Sequence, residues 1–296
     1  MPLFAALPWI NVWAIEDGDG WAIVDTGLDS EAAVSAWETA LEKALGARPV
    51  TRVIVTHMHP DHCGLAGWLT ERFSARLWMT RLEYLTCRLM AADTGRPAPR
   101  EGVEFYRAAG WDAAAIDRYV EKFGGFGRMI RPMPAAYRRI SDAERLRFGA
   151  DEWRVIVGSG HSPEHACLYC ESKRLLISGD QVLPRISSNV SVYPTEPDAD
   201  PLSDWLDSLG ALRRRVPDDV LVLPAHNSPF RGLHARLGEL EALHAGSLAR
   251  LERLLEVPRR AVDVFGALFQ RPIGPGVLGM ATGEAIAHLN HLVRLG

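Results

Sequence analysis

Residues 56–62 read Thr-His-Met-His-Pro-Asp-His and place three histidines and one aspartate within six positions. They follow a run of β-branched residues that is typical of a buried strand. Histidines at a strand end make poor core material, because each ring has two nitrogens that need partners. Imidazole and carboxylate groups are good ligands for zinc, iron or manganese. The segment therefore indicates a metal site rather than a packing cluster.

The spacing suits two ions. In an extended segment His57 and His59 are two residues apart and point the same way, so they can hold one ion together. Asp61 and His62 follow on the turn into the next helix and can face a second ion beside the first. Four side chains do not fill two coordination spheres, so we expect further ligands later in the chain.

Three later residues, each just past a predicted strand, can complete the set: His161, Asp180 and His226. Taken alone, each fits an ordinary capping or hydrogen-bonded loop residue. Their shared position at strand ends, in this order after the histidine-rich segment, favours metal ligands.

The ordered set resembles the metallo-β-lactamase superfamily, whose pattern is His-x-His-x-Asp-His followed by His, Asp and His at later strand ends. An early strand ending in Val-Asp-Thr-Gly, which contains Asp25, matches another signature of that family. The resemblance covers about residues 9–230. It implies an α/β fold, a four-layer αββα sandwich with the metal site along one edge.

The resemblance also implies how two divalent metal ions, most readily zinc, with iron or manganese as alternatives, would be held. The first ion would be bound by His57, His59 and His161. The second would be bound by Asp61, His62 and His226, with Asp180 bridging the two. A hydroxide between the ions would be the nucleophile, because metal binding lowers the pKa of water to about 7.

Other polar residues near these positions have expected roles as well. Asp61 is placed to orient the hydroxide and accept its proton, as the catalytic residue. Asp25 is expected to support the metal-binding loop near His57 by hydrogen bonds rather than to bind an ion. His165 is expected to be a packing residue, with contact to substrate or orientation of His161 as alternatives. Four more histidines lie on predicted helices and are expected at the surface or in packing: His234, His244, His288 and His291.

The elements that must position these residues alternate between strands and helices, which predicts a layered α/β domain. A hairpin with the turn Glu-Asp-Gly-Asp-Gly is predicted within residues 9–25, and a helix capped by Ser30 follows over residues 30–45. Further strands are predicted over residues 50–56, 76–79, 145–148, 152–158, 166–170, 174–178 and 219–223. Helices are predicted over residues 201–215 and 233–255.

Residues 1–257 are expected to form the catalytic domain, with a helical insert over about residues 81–140. Residues 258–296 begin at a helix-breaking proline and are predicted as two short helices packed on the body. This segment resembles the small winged-helix-like C-terminal domain of some superfamily members, truncated before its β-wing. Cys167 and Cys170 face opposite sides of a predicted strand, so two unconnected thiols are expected.

The insert bears on the substrate because it is dense in large apolar side chains. These side chains predict either a packing core of the insert or an apolar pocket beside the metal edge. An aspartate at Asp180 resembles glyoxalase II and thioesterase-like members, whereas true β-lactamases usually have Cys or Ser there. The expected function is hydrolysis of an ester or thioester bond of a small molecule with an apolar acyl part. A ribonuclease-type phosphodiesterase and a lactonase are the alternatives.

Four arginines of this stretch are expected either to meet an anionic head group of the substrate or to form a solvated face: Arg128, Arg131, Arg138 and Arg139.

Composition excludes other classes of partner. With 33 basic and 37 acidic residues the formal net charge is -4, so a nucleic-acid surface is not expected. No run approaches the roughly 18 apolar residues of a membrane span, and the first ten residues lack the basic and apolar regions of a secretion signal. With only four cysteines, a cytoplasmic protein is expected. Nine tryptophans and an apolar insert leave room for a homodimer.

Overall fold

The computed structural model describes residues 1–3 and 8–296. Its strands form two five-stranded sheets, with the orders β1-β2-β3-β4-β5 and β10-β9-β8-β7-β6. The first sheet contains Trp13–Asp17 (β1), Gly20–Val24 (β2), Val50–Ile54 (β3), Arg76–Met79 (β4) and Arg138–Arg139 (β5). The second contains Arg145–Phe148 (β6), Asp151–Gly158 (β7), His165–Cys170 (β8), Leu175–Gly179 (β9) and Leu221–Pro224 (β10).

The helices lie outside the two sheets. In the first half they are Glu31–Lys43 (α1), Pro60–Cys63 (α2), Ala66–Phe73 (α3), Arg81–Ala92 (α4), Arg100–Ala108 (α5) and Ala113–Lys122 (α6). In the second half they are Pro201–Arg215 (α7), Leu233–Leu254 (α8), Phe265–Leu268 (α9) and Leu278–Leu295 (α10). No helix within the described ranges is both long and apolar enough to cross a membrane.

Three apolar clusters hold the layers together. Ile54, Phe148 and Leu168 belong to the cluster between the two sheets, where the strands alternate inward and outward side chains. Helices α1 and α3 cover the other face of the first sheet through residues such as Trp37. Helices α7 and α8 cover the second sheet through residues such as Trp205. The result is the predicted four-layer αββα sandwich.

Most predicted elements are confirmed, and the hairpin shows why the bounds differ slightly. β1 and β2 pair antiparallel around Gly18, which takes the left-handed conformation (φ +62°) that a tight turn requires. The first strand begins at Trp13, later than predicted. Ser30 caps α1 by accepting a hydrogen bond from the Ala33 N–H (3.1 Å). The reading of the first ten residues as free of a secretion signal falls partly on residues 4–7, outside the described residues.

The C-terminal segment differs from its prediction. The second of its two short helices is in fact α10, with 18 residues, because packing against α7 and α8 stabilises the helix although it contains two glycines. α10 packs on α7 and α8, and Ala285 joins an apolar cluster with Leu251. The Trp111 Nε1–H donates to Thr282 Oγ1 (2.9 Å), so the insert also contacts this helix.

The buried cysteines do not form a disulfide. Cys167 packs in the cluster beneath α7 and α8, whereas Cys170 packs between the sheets. The two thiols therefore lie on opposite faces of β8, as the strand periodicity predicts.

Strand direction decides where loop residues meet. β2, β3 and β4 run parallel, as do β9 and β10, and β7 has the same direction as β9 because both are antiparallel to β8. The carboxyl ends of β3, β7, β9 and β10 therefore open onto one edge of the sandwich. The Ala166 N–H donates to the Thr56 carbonyl (2.8 Å) and joins the two sheets at that edge.

Candidate metal centre

Seven side chains from the four segments that follow β3, β7, β9 and β10 meet at this edge, and we call them the edge cluster: His57, His59, Asp61, His62, His161, Asp180 and His226. Their potential ligand atoms form three overlapping groups: His57, His59 and His161; His57, His62 and Asp180; and Asp61, His62 and His226. Within each group the ligand atoms lie within 4.8 Å of one another.

Asp180 lies between the two outer groups. Its Oδ2 is 3.5 Å from both His62 Nε2 and His161 Nε2, and its Oδ1 is 3.5 Å from His226 Nε2. Neighbouring ligand atoms of a tetrahedral ion with bonds of about 2.0–2.2 Å are about 3.3 Å apart. The spacing therefore fits ligands that share ions.

The histidine rings are oriented by hydrogen bonds on their outward nitrogens. His161 Nδ1–H donates to the Asn189 carbonyl (2.7 Å), and His62 Nδ1–H donates to Asp25 Oδ2 (2.8 Å). A ring that carries its proton on Nδ1 presents a lone pair on Nε2. Both rings therefore direct Nε2 to the place that a metal ion would take, and at His62 the ion would displace the proton that the neighbouring carboxylates favour.

Asp25 connects both parts of the cluster. Its carboxylate accepts hydrogen bonds from the Thr56 N–H (2.8 Å) and from the Thr56 hydroxyl (2.8 Å to Oδ2), in addition to the His62 ring. The same Thr56 oxygen lies 3.1 Å from His57 Nδ1 and can accept its proton. One buried carboxylate thus orients two histidine rings, one of them through a hydroxyl group.

Three inward atoms support the fit of this site to a metal. Among the described residues, no hydrogen-bond partner reaches His62 Nε2, His161 Nε2 or Asp180 Oδ1, although all three are buried. Buried polar atoms without partners are costly, so a cluster of them that converges on one point needs an explanation. Divalent metal ions satisfy the nitrogen lone pairs and the carboxylate together, and the His and Asp groups suit such ions.

The electrostatics differ across the cluster. Burial, together with the neighbouring His62, holds the pKa of His57 well below its usual range, and burial and His161 lower the pKa of His59 to about 3. For His62, burial also acts to lower the pKa, but Asp25 and Asp180 outweigh it and raise the pKa well above its usual value. His57 and His59 are therefore neutral and ready for a cation, while the carboxylates around His62 attract positive charge.

Asp61 is the most accessible acid of the cluster. Its side chain is 26% exposed, against 11% for Asp180, and its Oδ2 lies 3.4 Å from His226 Nε2. Burial acts to raise the pKa of Asp61, but the nearby His62 and His226 lower it below its usual value. An ionised carboxylate at the open side of the cluster can reach a water molecule from solvent.

His165 is buried, as expected of a packing residue, and it also makes a contact that the sequence did not predict. Its ring is fully buried 4.8 Å from the His57 ring, and its Nε2 accepts a hydrogen bond from the Asp180 N–H (3.0 Å). The preceding Gly179 has φ +51°, and a Cβ there would lie 2.5 Å from His165 Nε2. His165 therefore fixes the backbone of Asp180 rather than the ring of His161, and Gly179 makes room for it.

The other four histidines lie away from the edge. His244 and His288 are buried between α8 and α10, with His244 Nδ1 3.2 Å from His288 Nε2. His291 Nδ1 lies 3.1 Å from Asp200 Oδ2, and His234 Nε2 lies 2.8 Å from the Val216 carbonyl. The packing interpretation holds for the three on the α8–α10 side, all of them buried.

Two of the four arginines expected to meet a substrate are paired within the chain. Arg138 forms an ion pair with Glu144 and lies over the Trp78 ring, 4.3 Å from its centroid. Arg131 pairs with Asp29 (3.0 Å). Arg128 is exposed. The head-group interpretation is therefore weakest for Arg131 and Arg138, because the charge of each already has a partner.

Comparison with known proteins agrees with this geometry. The family model of the metallo-beta-lactamase superfamily matches residues 10–226. The chain belongs to that superfamily. A second model, the metallo-beta-lactamase-like C-terminal domain, matches residues 248–296 and so begins within α8.

Individual relatives support the assignment. A crystal structure of a beta-lactamase domain protein from Burkholderia ambifaria is 40% identical, with a TM-score of 0.92, over 100% of this chain and 86% of that one. The probable metallo-hydrolase YqjP of Bacillus subtilis is 23% identical over 93% of this chain and 85% of its own length. An atrochrysone carboxyl ACP thioesterase of Aspergillus fumigatus is 31% identical over 33% of this chain and 21% of its own. The protein is a metal-dependent hydrolase.

Proposed function

We propose that this hydrolase uses two metal ions to cleave an ester or thioester bond of a small molecule. The observation that carries the proposal is the convergence of lone pairs in the edge cluster. Nitrogen and oxygen atoms from four segments of the chain point inward, and three of them have no other partner among the described residues. Outward hydrogen bonds to Asp25 and Asn189 fix the rings in that orientation.

The distances support a division of the cluster between two ions. His57, His59 and His161 form the group that would bind the first ion, most readily zinc because all three ligands are imidazoles. Asp61, His62 and His226 would bind the second. Asp180 would contact both, since its two oxygens are equally far from histidines of either group.

Each part of the cluster has a separate task in the reaction. The bound ions would polarise the substrate carbonyl and lower the pKa of a water molecule to about 7. Asp61 would orient that water and accept its proton at Oδ2, because it is ionised and lies at the open side of the cluster. Asp25, Thr56 and His165 would hold the rings and the Asp180 backbone in place during the reaction.

A cleft between the insert and the start of α10 supports a small-molecule substrate with apolar and anionic parts. It has a volume of about 230 Å³ and lies between α6 and the start of α10, lined by Tyr106, Trp111, Tyr119, Phe123 and Leu278, with Arg118 and Lys122 also in its wall. Met280, two residues after Leu278, has its carbonyl 3.4 Å from Asn189 Nδ2. The first turn of α10 therefore connects the cleft to the loop that orients His161.

The aromatic rings of the insert mostly pack on each other, so only some of them line this cleft. Tyr84 stacks on Tyr137 with centroids 3.8 Å apart, and Tyr106 stacks on Trp111 at 4.2 Å. The stacked Tyr106 and Trp111 both line the cleft, which suits an acyl or aromatic group. The thioesterase among the relatives is a further reason to place thioesters first.

The proposal is tested by turnover on a panel of acyl thioesters, aryl esters, lactones and RNA, with zinc-loaded enzyme and with enzyme treated with a chelator. We expect chelator-sensitive cleavage of thioesters or esters, lowered at least about 100-fold by Asp61→Asn. Arg96→Gln, a change in an exposed ion pair of the insert, is the matched control and should leave turnover unchanged. Cleavage of RNA alone would contradict the proposed ester or thioester substrate. Cleavage of lactones alone would show that the protein is a lactonase instead.

A further inference from the structure

A buried carboxylate on α4 ties together the two loops that carry the three-histidine group. The Glu83 side chain is fully buried. Its Oε2 accepts a hydrogen bond from the Met58 N–H (2.8 Å), and its Oε1 accepts one from the Glu164 N–H (2.8 Å). Met58 lies between His57 and His59 in the sequence, and Glu164 follows His161 by three residues.

Glu164 of the His161 loop in turn accepts hydrogen bonds from α4 and from the residue that precedes it. Glu164 Oε2 accepts a hydrogen bond from the Leu82 N–H (2.8 Å), and the Thr80 hydroxyl donates to the Glu164 carbonyl (2.8 Å). Thr80 precedes α4 without capping it by its own side chain. A carboxylate from the His161 loop therefore caps this helix, where negative charge is favourable.

We propose that Glu83 is a positioning residue for the metal centre, which holds His57, His59 and His161 at the spacing that one ion requires. The inference rests on the proposed two-ion function. A buried carboxylate with two backbone donors is a stable and directional link between loops. No other side chain of the insert bonds both loops among the residues described, so Glu83 makes the insert part of the metal site.

The chemistry of the link predicts a sharp difference between Glu and Gln. A carboxylate accepts at both oxygens, whereas an amide accepts at one and presents N–H groups at the other. In Glu83→Gln one of the two backbone N–H groups would face another donor. One loop would then shift, although the volume of the side chain is unchanged. Loss of an outer partner of metal ligands typically costs about 10- to 100-fold in metal affinity.

A neighbouring residue provides the matched control. Tyr84 follows Glu83 on α4, is also buried, and its hydroxyl is within 2.8 Å of the Pro134 carbonyl and 3.0 Å of the Ala135 carbonyl. Tyr84→Phe therefore removes buried hydrogen bonds of the same helix at a place that does not touch the ligand loops. A purely structural effect of disturbing α4 would lower stability in both variants, and only a positioning effect would weaken metal binding in Glu83→Gln alone.

The experiment is a competition titration of zinc against a chromophoric chelator, with circular dichroism and thermal unfolding of each metal-free variant. We expect Glu83→Gln to bind zinc about 10- to 100-fold more weakly than wild type at one of its two steps, and Tyr84→Phe to remain within about threefold. Equal zinc affinity for Glu83→Gln and Tyr84→Phe would overturn the proposal. Wild-type protein that binds no zinc would instead overturn the metal centre itself.

A second variant decides the matter if Glu83→Gln does not fold. Glu164 is only partly buried, and Glu164→Ala removes one bond between α4 and the His161 loop, at the Leu82 N–H, while the backbone bond from Glu164 to Glu83 remains. We expect a folded protein whose zinc affinity falls by about threefold or more. Unchanged affinity in that variant would show that the link between α4 and the His161 loop does not position the ligands.

Discussion

The protein buries histidines in two regions, and only one of them has the features of a metal site. In the edge cluster, outward nitrogens are hydrogen-bonded and inward atoms converge without partners. Between α8 and α10, His288 Nδ1–H donates to the Glu284 carbonyl (2.8 Å) and His288 Nε2 faces His244 Nδ1. Only His244 Nε2 is left without a partner there.

The two regions differ in the carboxylates that surround their histidines and in whether unpartnered buried atoms converge, rather than in the number of histidines. Three carboxylates raise the pKa of His62 in the edge cluster against the effect of burial. Near His244 no acid acts in this way, and burial and His288 lower its pKa to about 4. The histidines between α8 and α10 therefore act as packing residues, because burial favours their neutral form.

The strongest test of the comparison is to change one aspartate in each region. Asp180→Asn removes the charge shared by both groups of the edge cluster, and we expect turnover to fall by more than about 100-fold with at most one ion retained. Asp200→Asn makes the same change beside His291 and preserves the cap of α7, because Asn is as good at that position. Metal content and turnover measured for both variants should separate them. A loss of metal in Asp200→Asn would contradict the comparison.

A second test uses the acid side of the pH range. The unfolded His244 has a pKa near its usual 6.5, and the folded one is lowered to about 4. The unfolded chain therefore binds a proton between these values that the folded chain does not, so stability is present above pH 6.5 and is lost as the pH falls towards about 4. His244→Gln should lose less of its free energy of unfolding over this window, by about 1–3 kcal/mol.

Urea unfolding at several pH values measures this effect. Ser247→Ala, which changes a buried but uncharged residue one turn along α8, is the control, and its slope with pH should equal that of wild type. Edge-cluster groups contribute equally to all three proteins and cancel in the comparison. Parallel pH profiles for wild type and His244→Gln would show that this histidine is not held neutral by the fold.

The smallest expected effect concerns Glu284 on α10. Burial raises its pKa to about 7, against a hydrogen bond from the Asn189 Nδ2–H (2.9 Å) that lowers it. A carboxyl with a raised pKa stabilises the fold below its unfolded value of 4.5 and loses that stability as the pH rises towards about 7. Glu284→Gln should therefore be more stable than wild type above pH 7, by about 1 kcal/mol. Thermal unfolding at pH 8 checks the sign, and a destabilised variant would contradict it.

Much of the edge cluster could be predicted from the sequence because its residues are rare and regularly placed. His57 to His62 follow a strand directly, and strand direction brings later strand ends to the same edge. The supporting atoms could not be predicted in this way. The Asn189 carbonyl is a backbone group with no residue signature, and Glu83 looks like any charged residue of an amphipathic helix until the fold buries it.

The C-terminal segment shows another limit. The helix-breaking Pro258 and the loop rich in glycine and proline were visible in the sequence, but the length of α10 was underestimated. The role of the small residues in α10 becomes clear only from its packing in the folded chain. A Cβ at Gly283 would lie 2.7 Å from the Ser191 side chain, so α10 approaches the loop that carries Asn189 closely. This contact depends on the tertiary structure rather than on local pattern.

The central claim is that the edge cluster holds two ions, and it is tested most directly by metal content. The purified chain would be stripped with chelator, reconstituted with excess zinc, passed through gel filtration and measured by elemental analysis. We predict about two zinc ions per chain, since the two ligand groups each fill most of a tetrahedral sphere. One ion or none per folded chain would contradict the account.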